Sequence, residues 1–258
     1  MADTRFIRPY AALEKHQTEM QRALRQRRAR VMLAVLGGTT VTGVAYWLFP
    51  PLAMLVAGVS ALVIFFSSLT SGSSVAASEM AGVEGEVRTL QFLQKLSDDH
   101  VLFNQVQIPD DRLANRRREL DFVVIGPSGL HVIEVKNTPG LIYVRPEEQR
   151  WPLAHKAGCG GRPGWNAIDN PLRQVHAQAE ALSRLLLQHS LATPIQPIVC
   201  FARPEVGLRD RDQAAIPVLT AAELPDHLHA TGKRSIPDRS KVMRLLAQTT
   251  GQTAALSG

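Results

Sequence analysis

The stretch "LDFVVIGPSGLHVIEVKN", residues 120–137, decides the fold because two apolar runs flank a turn. Gly-Pro-Ser-Gly at 126–129 is typical of a tight turn, and β-branched residues are frequent on both sides of it. The pattern predicts a β-hairpin in which Ile125 pairs with Leu130. The same register then continues outward along both strands.

The predicted hairpin carries three charged side chains in otherwise apolar strands. Continued outward, the register sets Asp121 opposite Glu134, and alternation places Lys136 on the same face as Glu134. Directly opposed residues have Cβ atoms roughly 5 Å apart, and like charges at that spacing repel. A positive group is therefore expected between the two carboxylates. The alternative is a surface ion pair of Glu134 with Lys136 on an edge strand.

Composition and charge limit what this hairpin serves. With 258 residues, 45% of them hydrophobic, the chain can bury one sizeable domain core. Its two cysteines, Cys159 and Cys200, form neither a disulfide framework nor a CxxC zinc pattern, which favours a reducing compartment. Residues 1–30 hold eight basic and three acidic side chains, so 8 − 3 = +5 of the net +6 lies there. The near-neutral remainder argues against strong non-specific binding to DNA.

A stretch without charged residues, 31–78, follows the basic segment. Within it, residues 31–49 and 52–69 are apolar runs close to the roughly 20 residues that cross about 30 Å of hydrocarbon. Two prolines between them block a continuous helix. The pair predicts a two-helix transmembrane hairpin. Both runs are short, so the alternatives are buried helices of a soluble fold or a re-entrant wedge.

The basic flank predicts the orientation of this hairpin, because Lys and Arg beside a first span favour the cytoplasmic side. Two spans return the chain to that side. We therefore expect a multi-pass protein of a bacterial-type inner (cytoplasmic) membrane with both termini in the cytoplasm. Residues 10–30 fit an amphipathic helix on anionic lipid, or equally a solvated helix whose charge only sets topology. Residues 70–79 read as a small, polar linker to a soluble domain at 80–258.

The domain is expected to open with a helix within residues 82–99. Val83, Val87 and Leu90 recur at helical spacing and predict a buried stripe. Glu86 falls within that stripe, where a carboxylate is costly without a cation or a hydrogen-bond donor. The alternative is a helix-start glutamate that faces the macrodipole.

The rest of the domain alternates between predicted strands and helices. These are strands within 100–108, 140–146, 149–154, 194–202 and 216–220, a glycine-rich loop at 158–164, a helix at 170–188 and a closing helix at 241–248. Asn170 is the expected N-cap of its helix, with proline at the first helical position. The order predicts an α/β fold with a mixed sheet, largely antiparallel at its front and flanked by helices.

Five pieces of the sequence occur in an order that resembles a known family. They are "GVEGE" at 82–86, the hairpin, the "PG" that follows it, a tryptophan, and "NPLRQ" at 170–174. Over residues 80–205 the chain resembles the nuclease-related domain, NERD, of the PD-(D/E)xK nuclease superfamily. The resemblance implies a restriction-endonuclease-like mixed sheet and a phosphodiester hydrolase. DNA is the implied substrate, and nothing in the sequence excludes RNA.

The resemblance also assigns roles to particular residues. Glu86 matches the acidic residue of the first helix, and Asp121 matches the metal-binding aspartate. Glu134 and Lys136 match the Glu-x-Lys pair, and Gln174 matches the glutamine in the helix after Asn-Pro. These five residues are the predicted catalytic set.

The implied chemistry is metal-assisted hydrolysis. Three carboxylates, Asp121, Glu134 and Glu86, suit a hard divalent cation such as Mg²⁺ or Mn²⁺. Such an ion polarises a phosphoryl oxygen and acidifies a water, while Lys136 orients that water or stabilises the developing charge. Phe122 departs from the family, which often has histidine there, at a position that only flanks the site.

The expected function is thus a membrane-anchored, divalent-metal-dependent nuclease whose partners are nucleic acid and the lipid bilayer. The alternative is an inactive nuclease fold that binds nucleic acid or protein at the membrane. Arg116, Arg117 and Arg118 are either phosphate contacts or a solvated loop. His155 and Cys159 suggest a metal site only weakly, because no second pair of ligands completes it.

Overall fold

The protein, seen here in a computed structural model, is described at residues 5–6, 32, 47, 74–155, 164–230 and 232–250. The chain forms two compact units, residues 1–9 with 81–258 and residues 10–80. Apart from Met32 and Trp47, the two predicted spans lie outside the described residues, as does the predicted basic helix at 10–30. Within the described residues, no helix combines the length and the apolar character that a bilayer crossing requires.

In the described chain, six consecutive strands separate the first two helices. In order, the elements are β1 (Arg5–Phe6), α1 (Ser74–Leu93), β2 (Val101–Pro109), β3 (Arg117–Gly126), β4 (Gly129–Lys136), β5 (Leu141–Tyr143), β6 (Arg150–His155), β7 (Gly164–Asp169), α2 (Pro171–Gln188), β8 (Ile195–Phe201), β9 (Gly207–Arg209), a 3-10 turn (Arg211–Gln213), β10 (Val218–Thr220), α3 (Leu224–Ala230) and α4 (Arg239–Thr249).

The strands form two mixed sheets. The larger has the order β1-β2-β3-β4-β8-β10, in which β2, β3 and β4 are antiparallel neighbours and β1, β8 and β10 join in parallel. The predicted mixed α/β sheet with an antiparallel front is thereby confirmed. The smaller sheet, β7-β6-β5-β9, was not predicted. A strand within 140–146 was predicted and contains β5, but β9, with three residues, is too short for an alternation pattern, and the pairing of these strands in a separate sheet has no local signal.

Helices cover both faces of the larger sheet. Val123 of β3 belongs to one hydrophobic core with Leu182 of α2 and Leu246 of α4. On the other face, Thr89 of α1 approaches the buried Cys200 of β8, with 3.9 Å between Oγ1 and Sγ. Strand alternation separates the two groups, so the sheet is sandwiched between α1 on one side and α2 with α4 on the other.

The hairpin forms with the predicted turn and register. Ile125 pairs with Leu130 and Gly126 with Gly129. Gly129 has a φ of +117°, a backbone conformation that residues other than glycine rarely adopt. At Gly126 an added Cβ would lie 2.3 Å from the His100 ring, so only glycine permits this approach.

At two places the secondary structure extends beyond the predicted boundaries. Helix α1 begins at Ser74, within the predicted linker at 70–79, because alanines and a methionine continue the helix and small polar residues do not stop it. The domain was predicted to start at residue 80, yet β1 at Arg5–Phe6 pairs with β2. That two-residue strand carries no periodic signal within the basic segment.

Candidate active site

Asp121 lies where the hydrogen-bonded ladder of β3 opens on both sides. Towards β2, the ladder is formed at Leu120 and Phe122 but is interrupted at Asp121, and Gln105 across from it has a positive φ of 49°. Towards β4, the ladder ends at the pair of Phe122 with Ile133. A left-handed conformation at a non-glycine residue costs about 1–3 kcal/mol and tends to occur at functional sites.

The Asp121 carboxylate bonds to the β4 backbone where the ladder has ended. Its Oδ2 accepts a hydrogen bond from the backbone amide of Val135 at 2.7 Å. The expected ladder pair of Asp121 with Glu134 does not form, since it would set two like charges face to face. Instead, β4 continues along β8, with which it pairs as far as Lys136. The hairpin therefore ends in two parted strands, each bearing an acidic residue.

Glu134 and Lys136 meet on the α2 side of the sheet, as alternation predicted. The Lys136 Nζ donates to Glu134 Oε1 at 2.6 Å and to Gln174 Oε1 at 2.8 Å. Only 2% of the Glu134 side chain is exposed, against 26% for Lys136. The structure thus brings together three predicted residues, with the carboxylate buried and the ammonium reaching solvent.

Gln178 is a site residue that sequence reasoning missed. Its Nε2 donates to Glu134 Oε2 at 2.6 Å, so both oxygens of that carboxylate accept a hydrogen bond. Its own Oε1 is buried and accepts no hydrogen bond from any described residue. Gln178 follows Gln174 by four residues, one helical turn, and that spacing was the available signal.

Glu86 lies at the edge of α1 rather than on a buried stripe. The buried positions of this part of α1 include Gly85 and Thr89, whereas Val83 is half-buried. Helix α1 can approach the end of β4 closely because residue 85 is glycine, where an added Cβ would lie 2.6 Å from the Asn137 Cβ. With Gly85 and Thr89 facing the sheet, Glu86 is half-buried at the edge of the helix. Its Oε2 accepts a hydrogen bond from Gln105 Nε2 at 3.2 Å.

The three acidic residues influence one another electrostatically. Burial raises the pKa of Asp121 well above its usual range, and the charges of Glu134 and Glu86 raise it further. The amide of Val135 and the charge of Lys136 lower it, but less strongly. A nearby cation would reverse this balance, since it favours the ionised carboxylates.

The donor chemistry of this site fits a divalent cation only in part. In the described ranges, no group of three His, Cys, Asp or Glu side chains is arranged to hold a metal ion. The predicted triad of Asp121, Glu134 and Glu86 is therefore not assembled as a metal cage. Mg²⁺, however, needs only one or two carboxylates, because it keeps several waters and binds substrate phosphate. Asp121, Glu134 and the orphaned oxygen of Gln178 suit that smaller set.

The arginine triplet divides between internal and surface roles. Arg118 Nε lies 2.6 Å from Asp110 Oδ2, and Arg184 lies 3.1 Å from the other oxygen of this buried carboxylate. Arg118 is thus part of an internal ion-pair network. Arg116 and Arg117 are exposed, and a role of these two in binding phosphate stays a prediction.

Comparison with known proteins supports the resemblance for part of the chain. Residues 81–202 match the family NERD, nuclease-related domain, which indicates a nuclease-related function. No curated protein is significantly similar to the chain. Among solved structures, protein VC1899 from Vibrio cholerae resembles 68% of this chain, at 15% identity and a TM-score of 0.29. The resemblance spans 35% of that protein's chain and is too distant to carry an argument.

Proposed function

We propose that the nuclease-related domain at 81–202 hydrolyses phosphodiester bonds of DNA with the help of a divalent cation. The observation that carries the proposal is the opening of the β3 ladder at Asp121, beside a buried Glu134 that contacts Lys136. Such an arrangement destabilises the metal-free protein, because repelling carboxylates are held at parted strands. A bound cation would attract both carboxylates and thereby remove their repulsion.

Asp121 and Glu134 would hold Mg²⁺ or Mn²⁺, with the carbonyl oxygen of Gln178 accepting from a water in its shell. When bound, the ion supplies a polarised phosphoryl oxygen and an acidified water. The Lys136 ammonium would stabilise the negative charge that develops on the phosphate. Gln174 fixes the ammonium from the helix side at 2.8 Å, and substrate phosphate would replace Glu134 as its second partner.

Glu86 is proposed as an acidic residue that acts from the edge of the site. Gln105 holds its carboxylate on the side of Asp121, where it contributes to the field around the scissile phosphate. Its function there is to orient a water or a metal-bound solvent shell. No direct ligand role is assigned to it.

The activity is tested by incubating the purified full-length chain with linear, nicked and branched DNA in Mg²⁺, in Mn²⁺ and in chelator. We expect cleavage with either metal and none with chelator. RNA of the same sequence serves as the substrate comparison. A chain that binds DNA but cuts nothing under any metal would support the inactive binding module instead.

We also propose that residues 31–69 anchor the domain to the cytoplasmic face of a bacterial-type inner membrane. The support is the stretch of 48 residues, 31–78, without Asp, Glu, Lys or Arg, preceded by the +5 segment. A reporter that is active only in the cytoplasm should work when fused after Gly258 and fail when fused at Pro50. Cytoplasmic signals at both positions would contradict a full crossing and favour a re-entrant wedge.

A further inference from the structure

The outer face of the smaller sheet carries two aromatic rings side by side, of which Trp165 is exposed and Tyr143 half-buried. Trp165 of β7 is 66% exposed, unusual for the largest apolar side chain. Its ring centroid lies 5.7 Å from that of Tyr143 on β5, with 34° between the ring planes. The guanidinium of Arg145 lies 5.9 Å from the centroid of the Tyr143 ring. The three groups form an open surface of aromatic and cationic character.

Strand register shows that these residues belong to one continuous face. Leu141, Ala154 and Trp165 are neighbours across β5, β6 and β7. Tyr143 pairs with Arg209 of β9. Each of these positions is half-buried or exposed, whereas the alternate residues between them enter the domain core. Among the described residues, only one side of this sheet is packed, so its other side can meet a ligand.

Positive charge accompanies the rings on this face. By alternation, Arg150 and Arg209 project on the same side as Tyr143, and Arg145 reaches the Tyr143 ring from just beyond β5. The acidic residues beside these arginines are Asp169 and Asp210. Arg145 pairs with Asp210 and Arg150 with Asp169 at 3.4 Å, while Arg209 is exposed. Arg145 lies beside the Tyr143 ring and Arg209 is the cross-strand neighbour of Tyr143, so a polyanion on the rings would meet both side chains.

The face also connects to the candidate active site through a short segment of chain. Tyr143 follows Lys136 by seven residues, so the extended chain limits their Cα separation to about 25 Å. At about 3.4 Å per nucleotide of a stacked strand, this upper limit corresponds to at most roughly seven nucleotides. A cavity of about 500 Å³ adjoins this face at Leu141 and Ala154, and its mainly apolar lining also includes His155 and Glu205. An apolar lining suits a base better than a phosphate.

We propose that this aromatic face, formed by Trp165, Tyr143, Arg145 and Arg209, binds single-stranded nucleic acid by stacking unpaired bases on Trp165. The ligand class rests on the proposed function. Base stacking on exposed aromatic rings, with arginines along the backbone, is how proteins hold single strands without sequence preference. A duplex keeps its bases stacked inside and offers none to the ring. The nuclease therefore prefers substrates with a single-stranded segment beside the cleaved bond.

Binding to a labelled oligothymidylate tests the proposal in the full-length chain, with chelator present so that cleavage plays no part. Trp165→Ala should weaken binding about 5- to 150-fold, the range seen when one base-stacking ring is removed. Trp165→Phe keeps a ring and should stay close to the parent. Leu187→Ala removes another exposed apolar side chain, on α2, and should leave binding unchanged.

Two ligand controls separate stacking from charge. An abasic deoxyribose-phosphate oligomer of the same length carries the same charge without bases, and Trp165→Ala should barely change its affinity. Oligothymidylate should quench part of the tryptophan fluorescence of the parent, and this quenching should vanish in Trp165→Phe. A fully paired duplex should bind with no dependence on Trp165.

Three outcomes would overturn the proposal. Unchanged oligothymidylate affinity in Trp165→Ala, with an unchanged urea midpoint, means that no base stacks there. Equal losses for the oligothymidylate and abasic ligands mean a purely electrostatic surface. If the parent is a dimer and Trp165→Ala a monomer, while both bind oligothymidylate equally, a second copy of the chain covers the face. A chain that stacks oligothymidylate on Trp165 yet never cleaves DNA would defeat only the proposed function.

Discussion

Replacing Asp121 by asparagine should stabilise the metal-free protein while abolishing its activity. The substitution keeps the shape of the side chain and leaves a carbonyl oxygen to accept the hydrogen bond of the Val135 amide. It removes one of the charges that repel at the parted strands, where Glu134 and Glu86 both disfavour an ionised Asp121. Most substitutions of partly buried polar residues lower the stability of a protein. An increase in the stability of Asp121→Asn would therefore be informative even without its magnitude.

The magnitude follows from two opposing contributions. In a paired register, unit charges about 5 Å apart would repel by roughly 3 kcal/mol at an effective dielectric constant of about 20. The strands part at Asp121, so this figure is an upper limit for the repulsion between Asp121 and Glu134. Losing the charge weakens the hydrogen bond from Val135 by about 1 kcal/mol. The expected net gain for Asp121→Asn is therefore about 1–2 kcal/mol, or a few degrees in Tm for a domain of this size.

The effect should depend on pH with a definite sign. The pKa of Asp121 is raised in the folded state, so the native protein binds the proton more tightly than the unfolded chain. The penalty of ionisation is absent below the unfolded pKa, about 3.9, and grows as the pH rises towards the folded pKa. The advantage of Asp121→Asn should thus be largest at neutral pH and vanish near pH 4.

The assay is urea unfolding of parent and variant in chelator at several pH values between 4 and 8, repeated with Mg²⁺. Added Mg²⁺ should stabilise the parent and have little effect on Asp121→Asn. Asp110→Asn is the matched control, because Arg118 holds the pKa of that buried carboxyl below its usual range. Asp110→Asn should be less stable than the parent at neutral pH, and this difference in stability should disappear as the pH falls. A loss of stability in metal-free Asp121→Asn would refute the repulsion argument.

Three further changes test neighbouring parts of the account. Lys136→Met should lower the cleavage rate about 10²- to 10³-fold at saturating metal while Mn²⁺ affinity stays the same or rises, whereas Glu134→Gln should weaken calorimetric Mn²⁺ binding together with the rate. Gln178→Leu should cost about 2 kcal/mol in urea unfolding, because a buried carboxylate loses a donor at 2.6 Å, and an unchanged midpoint would argue against that contact. Burial lowers the pKa of His131 to about 4, so the parent should lose roughly 3 kcal/mol between pH 6.5 and 4, and His131→Gln should show a flatter profile over that range.

The elements with strong periodic signals were predicted correctly. The turn at 126–129 fixed the register of β3 with β4, and Asn170 caps α2 as expected, its Oδ1 accepting from the Leu172 amide at 2.9 Å. These features follow from local chemistry, since glycine supplies the turn conformation and the asparagine side chain satisfies a free amide. The pairing of Lys136 with Glu134 followed equally from alternation.

What escaped prediction depends on contacts between distant segments. The left-handed conformation at Gln105 has no signal in the sequence, because the opening of the ladder at Asp121 is a tertiary effect. The buried face of α1 differs from the predicted one because Gly85 approaches Asn137 closely, a contact that hydrophobic periodicity does not encode. The smaller sheet was missed for the same reason, and with it the exposure of Trp165.

The central claim is that the parted strands at Asp121 and Glu134 bind a divalent cation. Anomalous scattering from crystals soaked in Mn²⁺ measures this directly. We expect a peak about 2.1 Å from an oxygen of each carboxylate, the distance at which a hard divalent ion is bound. The Lys136 ammonium should then have moved away from Glu134. Density showing Lys136 still on Glu134, with no peak at the two carboxylates, would contradict the account and leave a structural ion pair in its place.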